Sequence, residues 1–251
     1  MFIMIFKFKR ELSSVYRLFN NETEYNIFSK YILHNFYLRV LNRHSLKKYD
    51  NEMIYFRNKI KLLDIDNDLF SGNIRSWLRS LNTISSDMER RINYLEIGSW
   101  QGVSSVFMLD TFKNLYATCV DTWEGSDEDR STSQTLASIE TKFDSNTQPY
   151  TKRITKVKST SFNFFSSNSY QKKFDVIYID GSHHADDVLI DGLKAFQLLK
   201  KGGLLIFDDY TWKYYSNPKE NPTSAINAFM KLKRGSYKIL DIHRQVHLMK
   251  L

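Results

Sequence analysis

Two short stretches carry acidic and imidazole groups directly behind apolar runs. Asp180-Gly181-Ser182-His183-His184 follows Phe174 to Ile179, and Asp208-Asp209 follows Gly203 to Phe207. Carboxylates brought together at such run ends repel unless they are protonated, paired with bases or neutralised by a cation. Hard oxygen donors suit Mg²⁺, Mn²⁺ or Ca²⁺, so Asp180, Asp208 and Asp209 are candidate metal ligands, against the alternative of aspartates that only end strands and cap helices. A histidine exchanges a proton near neutrality when its placement allows it. His183, with His184 as the alternative, is therefore either a base or a loop residue. Asp186 and Asp187 suit the opening of the next helix, where exposed backbone N–H groups favour negative charge.

A second group lies earlier. Glu96-Ile97-Gly98-Ser99-Trp100-Gln101-Gly102 joins an apolar run to a helical one, and its two glycines permit a tight turn with close backbone approach to a ligand, or only a packing turn. The spacing is not the GxGxxG dinucleotide fingerprint, and the lysine of a phosphate-binding P-loop is missing. Asp121 closes the next apolar run. Its two carboxylate oxygens could bridge the hydroxyls of a ribose, or cap a turn.

These residues converge only if the runs are strands of one sheet. Tyr94–Ile97, Leu115–Val120, Ile154–Val157, Phe174–Ile179 and Gly203–Phe207 read as strands, alternating with helices at Val103–Leu109 and Asp186–Leu199. Lys200-Lys201-Gly202-Gly203 reads as the charged, glycine-terminated end of the latter helix. This alternation specifies an α/β fold with a mostly parallel sheet, whose strand ends share one edge. Thr223–Lys233 reads as a helix, and Tyr237–Ile242 and Val246–Met249 as strands too closely spaced for a crossover, hence antiparallel. Ahead of them, residues 1–91 read as a helical cap, with apolar stripes over Ile27–Leu41, Met53–Leu63 and Ile74–Leu81. A further helix is expected around Ser133–Phe143.

The chain has 251 residues, 42% hydrophobic and 25% charged, enough apolar material for a sizeable core. Its single cysteine, Cys119, excludes an intrachain disulfide framework and a thiolate metal site. No apolar run is long enough for a membrane span, and Met1–Phe6 precedes its basic residues rather than following them, the wrong order for a signal peptide. A soluble cytoplasmic protein is expected. The net charge of +8, concentrated in the N-terminal third, can steer an anionic partner or form an ordinary solvated face.

Taken together, Tyr94-Leu95-Glu96-Ile97-Gly98, Val120-Asp121-Thr122-Trp123-Glu124-Gly125 and Ile179-Asp180-Gly181-Ser182-His183 resemble class I S-adenosylmethionine-dependent methyltransferases, especially the sugar and macrolide O-methyltransferases. The resemblance covers about residues 92–250. It implies a Rossmann-like, seven-stranded sheet with one antiparallel C-terminal strand, and a methyltransferase domain at 92–251 behind the helical region 1–91. It implies that Glu96, Gly98, Ser99 and Gly102 shape the methionine side of an S-adenosylmethionine pocket. Asp121 would hold the ribose, Thr122 and Trp123 would lie beside the cofactor, and Ser159, within Lys158-Ser159-Thr160, would approach the adenine. It further implies a divalent cation such as Mg²⁺ on Asp180, Asp208 and Asp209, with His183 as catalytic base. Asp208-Asp209, where catechol-type relatives often carry Asp-Asn, favours the sugar-methylating branch. The acceptor is then a small molecule or glycan hydroxyl. Tyr210, Trp212, Tyr214 and Tyr215 are candidates for its rim, and Phe162, Phe164 and Phe165 for the pocket border. Alternatives are a nucleic-acid methyltransferase, disfavoured by the absence of an RNA-binding motif, and a binding protein that has lost its chemistry. Homo-oligomerisation is left open.

Overall fold

Runs of β-branched and aromatic residues with buried side chains on both faces form the strands of one sheet. The computed structural model describes residues 12–16, 18, 25–38, 43–84, 89–125, 138–167 and 173–251. Its strands are β1 (Ile92–Ile97), β2 (Leu115–Asp121), β3 (Ile154–Lys158), β4 (Phe174–Ile179), β5 (Leu199–Phe207), β6 (Tyr237–Ile242) and β7 (Val246–Lys250). They make a seven-stranded sheet in the order β3-β2-β1-β4-β5-β7-β6. Pairing is parallel from β3 to β5, and β7 runs antiparallel to both β5 and β6.

Register decides where the chemistry sits. Ile97 pairs with Val120 and with Ile179, Ile179 pairs with Phe207, and Phe207 pairs with Val246. The residues just beyond these partners, Gly98, Asp121, Asp180 and Asp208, therefore share one edge, and Gln245, just ahead of the antiparallel β7, arrives beside Asp208. The strand order reverses between β1 and β4, the position at which open α/β sheets place their ligands.

The helices cover both faces. In chain order they are α1 (Tyr25–Phe36), α2 (Arg43–Lys47), α3 (Asp50–Ile60), α4 (Ile74–Ile84), α5 (Val103–Thr111), α6 (Ile139–Thr147), α7 (Ser161–Ser166), α8 (Ala185–Leu198) and α9 (Pro222–Leu232). Phe56, Phe70 and Trp77 from the N-terminal region share one core with Phe107 of α5 and Tyr178 of β4. Four edge-to-face or tilted ring contacts join these side chains, with centroids 4.8 to 5.2 Å apart. The opposite face packs Phe196, Phe207 and Phe229 with Tyr31 of α1. The N-terminal helices are thus built into the core of the sheet.

Two expectations are revised. Lys200-Lys201-Gly202-Gly203 does not cap a helix: α8 ends at Leu198, and these residues form the irregular start of β5, where the register with β4 shifts and Gly202 takes φ +74°. The helix expected around Ser133–Phe143 runs over Ile139–Thr147, while residues 133–137 lie outside the described residues, as does the Met1–Phe6 run. Among the described residues no helix is long and apolar enough to cross a membrane.

Candidate active site

A cavity of about 1050 Å³ opens at the shared strand edge. One end is formed by the turn after β1, the end of β2 and the turn after β3, and the other by the turns after β4 and β5. Gly98, Ser99, Asp121, Thr122 and Ser159 line the first end, together with Trp100, Gln101, Thr160 and Phe162. Asp180, His183, His184, Asp208 and Asp209 line the second. The loop Asp66–Asn73 and the ring side chains of Trp212 and Tyr215 complete the wall.

Gly98 has φ +82°, and a Cβ there would lie 2.0 Å from the carbonyl oxygen of Asp180. The turn thus needs glycine because two backbones meet, irrespective of any ligand. Asp121 organises the same turn. Its Oδ2 accepts from the backbone N–H groups of Ser99 and Trp100, both at 2.8 Å, and its Oδ1 from that of Trp123 at 2.7 Å. Burial pushes its carboxyl up, and these N–H donors oppose the shift. Gln101 adds a second clasp: Asn146 Nδ2 donates to its carbonyl at 2.9 Å, and its side-chain oxygen accepts from the N–H of Asp66 at 3.0 Å. The cavity loop of the N-terminal region is thereby fastened to the glycine turn.

At the other end, ligand atoms of Asp180, His183 and Asp209 all lie within 4.8 Å of one another. His183 Nε2 is 2.9 Å from Asp209 Oδ2. Asp209 has φ +56°, a left-handed conformation that aspartate tolerates better than most residues. The set expected from the sequence was Asp180, Asp208 and Asp209; the groups that meet most closely are Asp180, His183 and Asp209, while Asp208 lines the same end of the cavity with both oxygens hydrogen-bonded. Asp208 Oδ1 accepts from the N–H of Asp209 at 2.7 Å, and its Oδ2 accepts from Gln245 Nε2 at 2.8 Å and from the Tyr178 hydroxyl. Burial and the neighbouring carboxylates push Asp180 well above the usual carboxylate range, and burial with the charge of Asp209 pushes Asp208 up to about 6. Such crowding is what a cation relieves. Two carboxylates and an imidazole suit a divalent ion between hard and borderline, and the 2.9 Å separation matches the roughly 3 Å between adjacent ligands of an octahedral site.

The comparisons with known proteins bear on this geometry. Residues 95–210, from β1 to just beyond β5, match the family described as Methyltransferase domain. Solved methyltransferases share its fold. The O-methyltransferase from Bacillus cereus, in complex with SAH, aligns with TM-score 0.51 and 15% identity over 89% of this chain and 100% of that one. NovP aligns with TM-score 0.55 and 14% identity over 73% and 83% of the two chains. MycE of the mycinamycin biosynthetic pathway, in complex with Mg, SAH and mycinamycin VI, aligns with TM-score 0.52 and 13% identity over 73% of this chain and 50% of its own. No curated protein matches the chain in sequence.

Within residues 95–210, three residues expected at the cofactor stand behind the cavity wall. Trp123 is buried against Phe143, with ring centroids 5.0 Å apart, and its indole N–H donates to the carbonyl of Trp100 at 3.0 Å. Gly102 opens α5 with φ +83°. Glu96 is fully buried, where it accepts from the hydroxyls of Ser104 and Ser105. It points to the opposite sheet face from Ile97, which lines the cavity. Of the aromatic candidates, Trp212 and Tyr215 line the cavity, as does Phe162, while Tyr210 and Phe164 are core residues. Trp100, Gln101, Tyr178 and Gln245 went unrecognised in the sequence. Only the first two, inside the glycine turn, carried a signal.

Burial pushes the Glu96 carboxyl from its ordinary 4.5 up to about 7, against the serine donors. Between those values the folded state holds a proton that the unfolded state has lost. The group's contribution to stability therefore falls as pH rises through the window, by about 3 kcal/mol in all. Glu96→Gln is expected to abolish this loss. In urea denaturation its stability relative to wild type should grow from about pH 5 to about pH 8. A difference that stays constant over that range contradicts the assignment.

Proposed function

We propose that the chain is an S-adenosylmethionine-dependent O-methyltransferase acting on a hydroxyl of a sugar, glycoside or small polyhydroxylated molecule, with His183 as general base. The observation that carries this reading is the convergence of Asp180, His183 and Asp209 on the cavity whose far end is the glycine turn and Asp121. Gly98, Ser99, Asp121, Thr122 and Ser159 would hold the cofactor, with the oxygens of Asp121 offering their remaining lone pairs to the ribose hydroxyls. When bound, S-adenosylmethionine supplies an electrophilic methyl group, and a divalent cation held by Asp180 and Asp209 supplies Lewis acidity toward the acceptor oxygen. In the base role, His183 donates from Nε2 to Asp209, which orients the ring, and the other ring nitrogen takes the hydroxyl proton. A second reading, favoured by the same convergence, makes His183 the third metal ligand.

Two features support a neutral polyol as the acceptor. Trp212, whose ring centroid is 4.5 Å from that of His183, and Tyr215, 4.2 Å from that of His184, give the reacting end an aromatic wall on which the apolar face of a sugar ring can lie. The lining also carries Asp66, Asp121, Asp180, Asp187, Asp208 and Asp209, with Arg244 as its only lysine or arginine among the described residues. Such a wall repels the phosphate backbone that dominates nucleic-acid affinity. The division of labour supported here is a chemistry-bearing unit at 92–251, with the Asp66–Asn73 loop of residues 1–91 adding a wall to its cavity.

The test is transfer of labelled methyl from S-adenosylmethionine across nucleotide sugars, glycans, polyketide glycosides and RNA, with and without chelator, beside calorimetric titration of SAH. The expected results are saturable SAH binding, weakened at least tenfold by Asp121→Ala, which removes both the ribose acceptor and the anchor of the glycine turn (about 1.4 kcal/mol per factor of ten). Turnover on a hydroxylated acceptor is expected to fall on chelation and to return with Mg²⁺ or Mn²⁺. Folded protein that binds no SAH rejects the cofactor assignment, and methylation of RNA alone rejects the acceptor class.

A further inference from the structure

Gln245, Trp77, His247 and Ser80 form a buried polar chain that ends on Asp208, and every link in it has a forced direction. Trp77 and Ser80 lie three residues apart on one face of α4, while Gln245 and His247 flank Val246 at the start of β7. An indole nitrogen only donates, so the 2.8 Å contact from Trp77 Nε1 makes Gln245 Oε1 an acceptor. The amide is thereby oriented with Nε2 toward Asp208 Oδ2, at 2.8 Å. His247 Nε2 lies 3.2 Å from the same Oε1 and must carry the ring proton, which leaves Nδ1 to accept from the Ser80 hydroxyl at 2.8 Å. The chain has one self-consistent set of donors and acceptors and cannot rotate link by link.

Its far end reaches the candidate metal centre. Asp208 Oδ2 also accepts from the Tyr178 hydroxyl, which lies 2.8 Å from Asp180 Oδ2. Trp77 additionally packs edge-on against the Tyr178 ring, at 4.8 Å between centroids and 83° between planes. One α4 side chain therefore sets both the amide that holds Asp208 and the ring that reaches Asp180. Trp77, Ser80, Gln245 and His247 all lie outside residues 95–210, the segment that matches the methyltransferase family.

We propose that Gln245, locked by Trp77 and His247, is a positioning residue for the centre formed by Asp180, His183 and Asp209. Its amide N–H fixes Asp208, and the single proton of the Tyr178 hydroxyl is shared between Asp208 Oδ2 and Asp180 Oδ2, so the position of Asp208 sets how that hydroxyl holds Asp180 facing its partners. Without the amide, Asp208 is free to take the Tyr178 hydroxyl into other rotamers, and Asp180 loses its restraint. The inference rests on the metal reading above and extends it to residues that touch neither cation nor acceptor. Partners that orient ligands from behind commonly control affinity by 10- to 100-fold.

The experiment is calorimetric titration of Mn²⁺ into the SAH-saturated full-length chain, with SAH affinity measured separately in metal-free buffer. Wild type is compared with Gln245→Ala, Gln245→Glu and Trp77→Phe. Gln245→Glu keeps the shape but presents an oxygen to Asp208, and Trp77→Phe keeps an aromatic ring but removes the indole donor. The expected result is Mn²⁺ affinity about 10- to 100-fold lower in both Gln245 variants, a smaller loss in Trp77→Phe, and unchanged SAH affinity. Mn²⁺ affinity equal to wild type in a folded Gln245 variant, or SAH affinity falling in parallel with Mn²⁺, overturns the proposal. Should both Gln245 variants fail to fold, Trp77→Phe decides it, unchanged Mn²⁺ affinity being the overturning result. Wild type that binds SAH but no Mn²⁺ removes the metal reading itself, and the proposal with it.

Discussion

His183→Ala and His183→Gln are expected to lower kcat about 10²- to 10⁴-fold on a competent acceptor, the range spanned when a positioned base is lost. The imidazole stands in the cavity with Nε2 2.9 Å from Asp209 Oδ2, an orienting carboxylate of the kind a general base requires. If His183 takes the proton, both variants keep wild-type affinity for SAH and for Mn²⁺, because neither is held by the base. If it is the third ligand instead, Mn²⁺ affinity falls together with turnover, and excess Mn²⁺ restores part of the rate. His184 is stacked on Tyr215 at 4.2 Å, and its backbone N–H donates to Ser182 Oγ at 3.2 Å, so His184→Ala should be the milder change. Near-normal turnover by a folded His183 variant, with methyl transfer limiting the rate, rejects both roles.

The second large effect is expected at Gly98. Alanine there would place Cβ 2.0 Å from the carbonyl oxygen of Asp180, 2.4 Å from its carbonyl carbon and 2.7 Å from Gly181 Cα, all of them backbone atoms that no rotamer change can move. The residue also sits at φ +82°, a second penalty for any side chain. Relief requires the turns after β1 and β4 to separate, although the Asp180 N–H donates to the Ile97 carbonyl at 2.8 Å and the Gly98 N–H to the Val120 carbonyl at 2.9 Å. Gly98→Ala should cost about 3 kcal/mol or more and abolish SAH binding at ordinary concentrations. Gly102→Ala is the control. Its φ is +83°, but the new Cβ would meet only side-chain atoms of Phe143 and Thr147, at 3.1 Å, so about 1 kcal/mol is expected. Denaturant unfolding with SAH titration checks both, and equal losses at the two positions contradict the close-approach argument.

The resemblance at 92–250 and the structure agree on the sheet, and the residues expected at the reacting and cofactor ends border one cavity, but the two part over individual side chains. Asp208 and Asp209 read as twin ligands, and both line the cavity, yet Asp209 meets His183 while the oxygens of Asp208 accept from Tyr178, Gln245 and the Asp209 N–H. Glu96 and Ile97 point to opposite sheet faces, so the charged member of the pair ends under α5 and the apolar member lines the cavity. Trp123, whose position in Asp121-Thr122-Trp123 suggested a cofactor contact, satisfies its indole on the Trp100 carbonyl instead.

The strands and helices, the antiparallel end of the sheet, and the placement of Gly98, Asp121, Asp180 and Asp208 at strand ends were legible in the residues alone. Those features depend on local periodicity, on chain stiffness and on connections too short to cross over, all of which are written in neighbouring residues. Which carboxylates converge, that Gln245 holds Asp208, and that the N-terminal α4 sets that amide through Trp77 emerge only on folding. Trp77 and Gln245 are 168 positions apart and lie on different elements. Their meeting follows from strand register and helix packing, and the direction of each hydrogen bond follows from which partner can only donate.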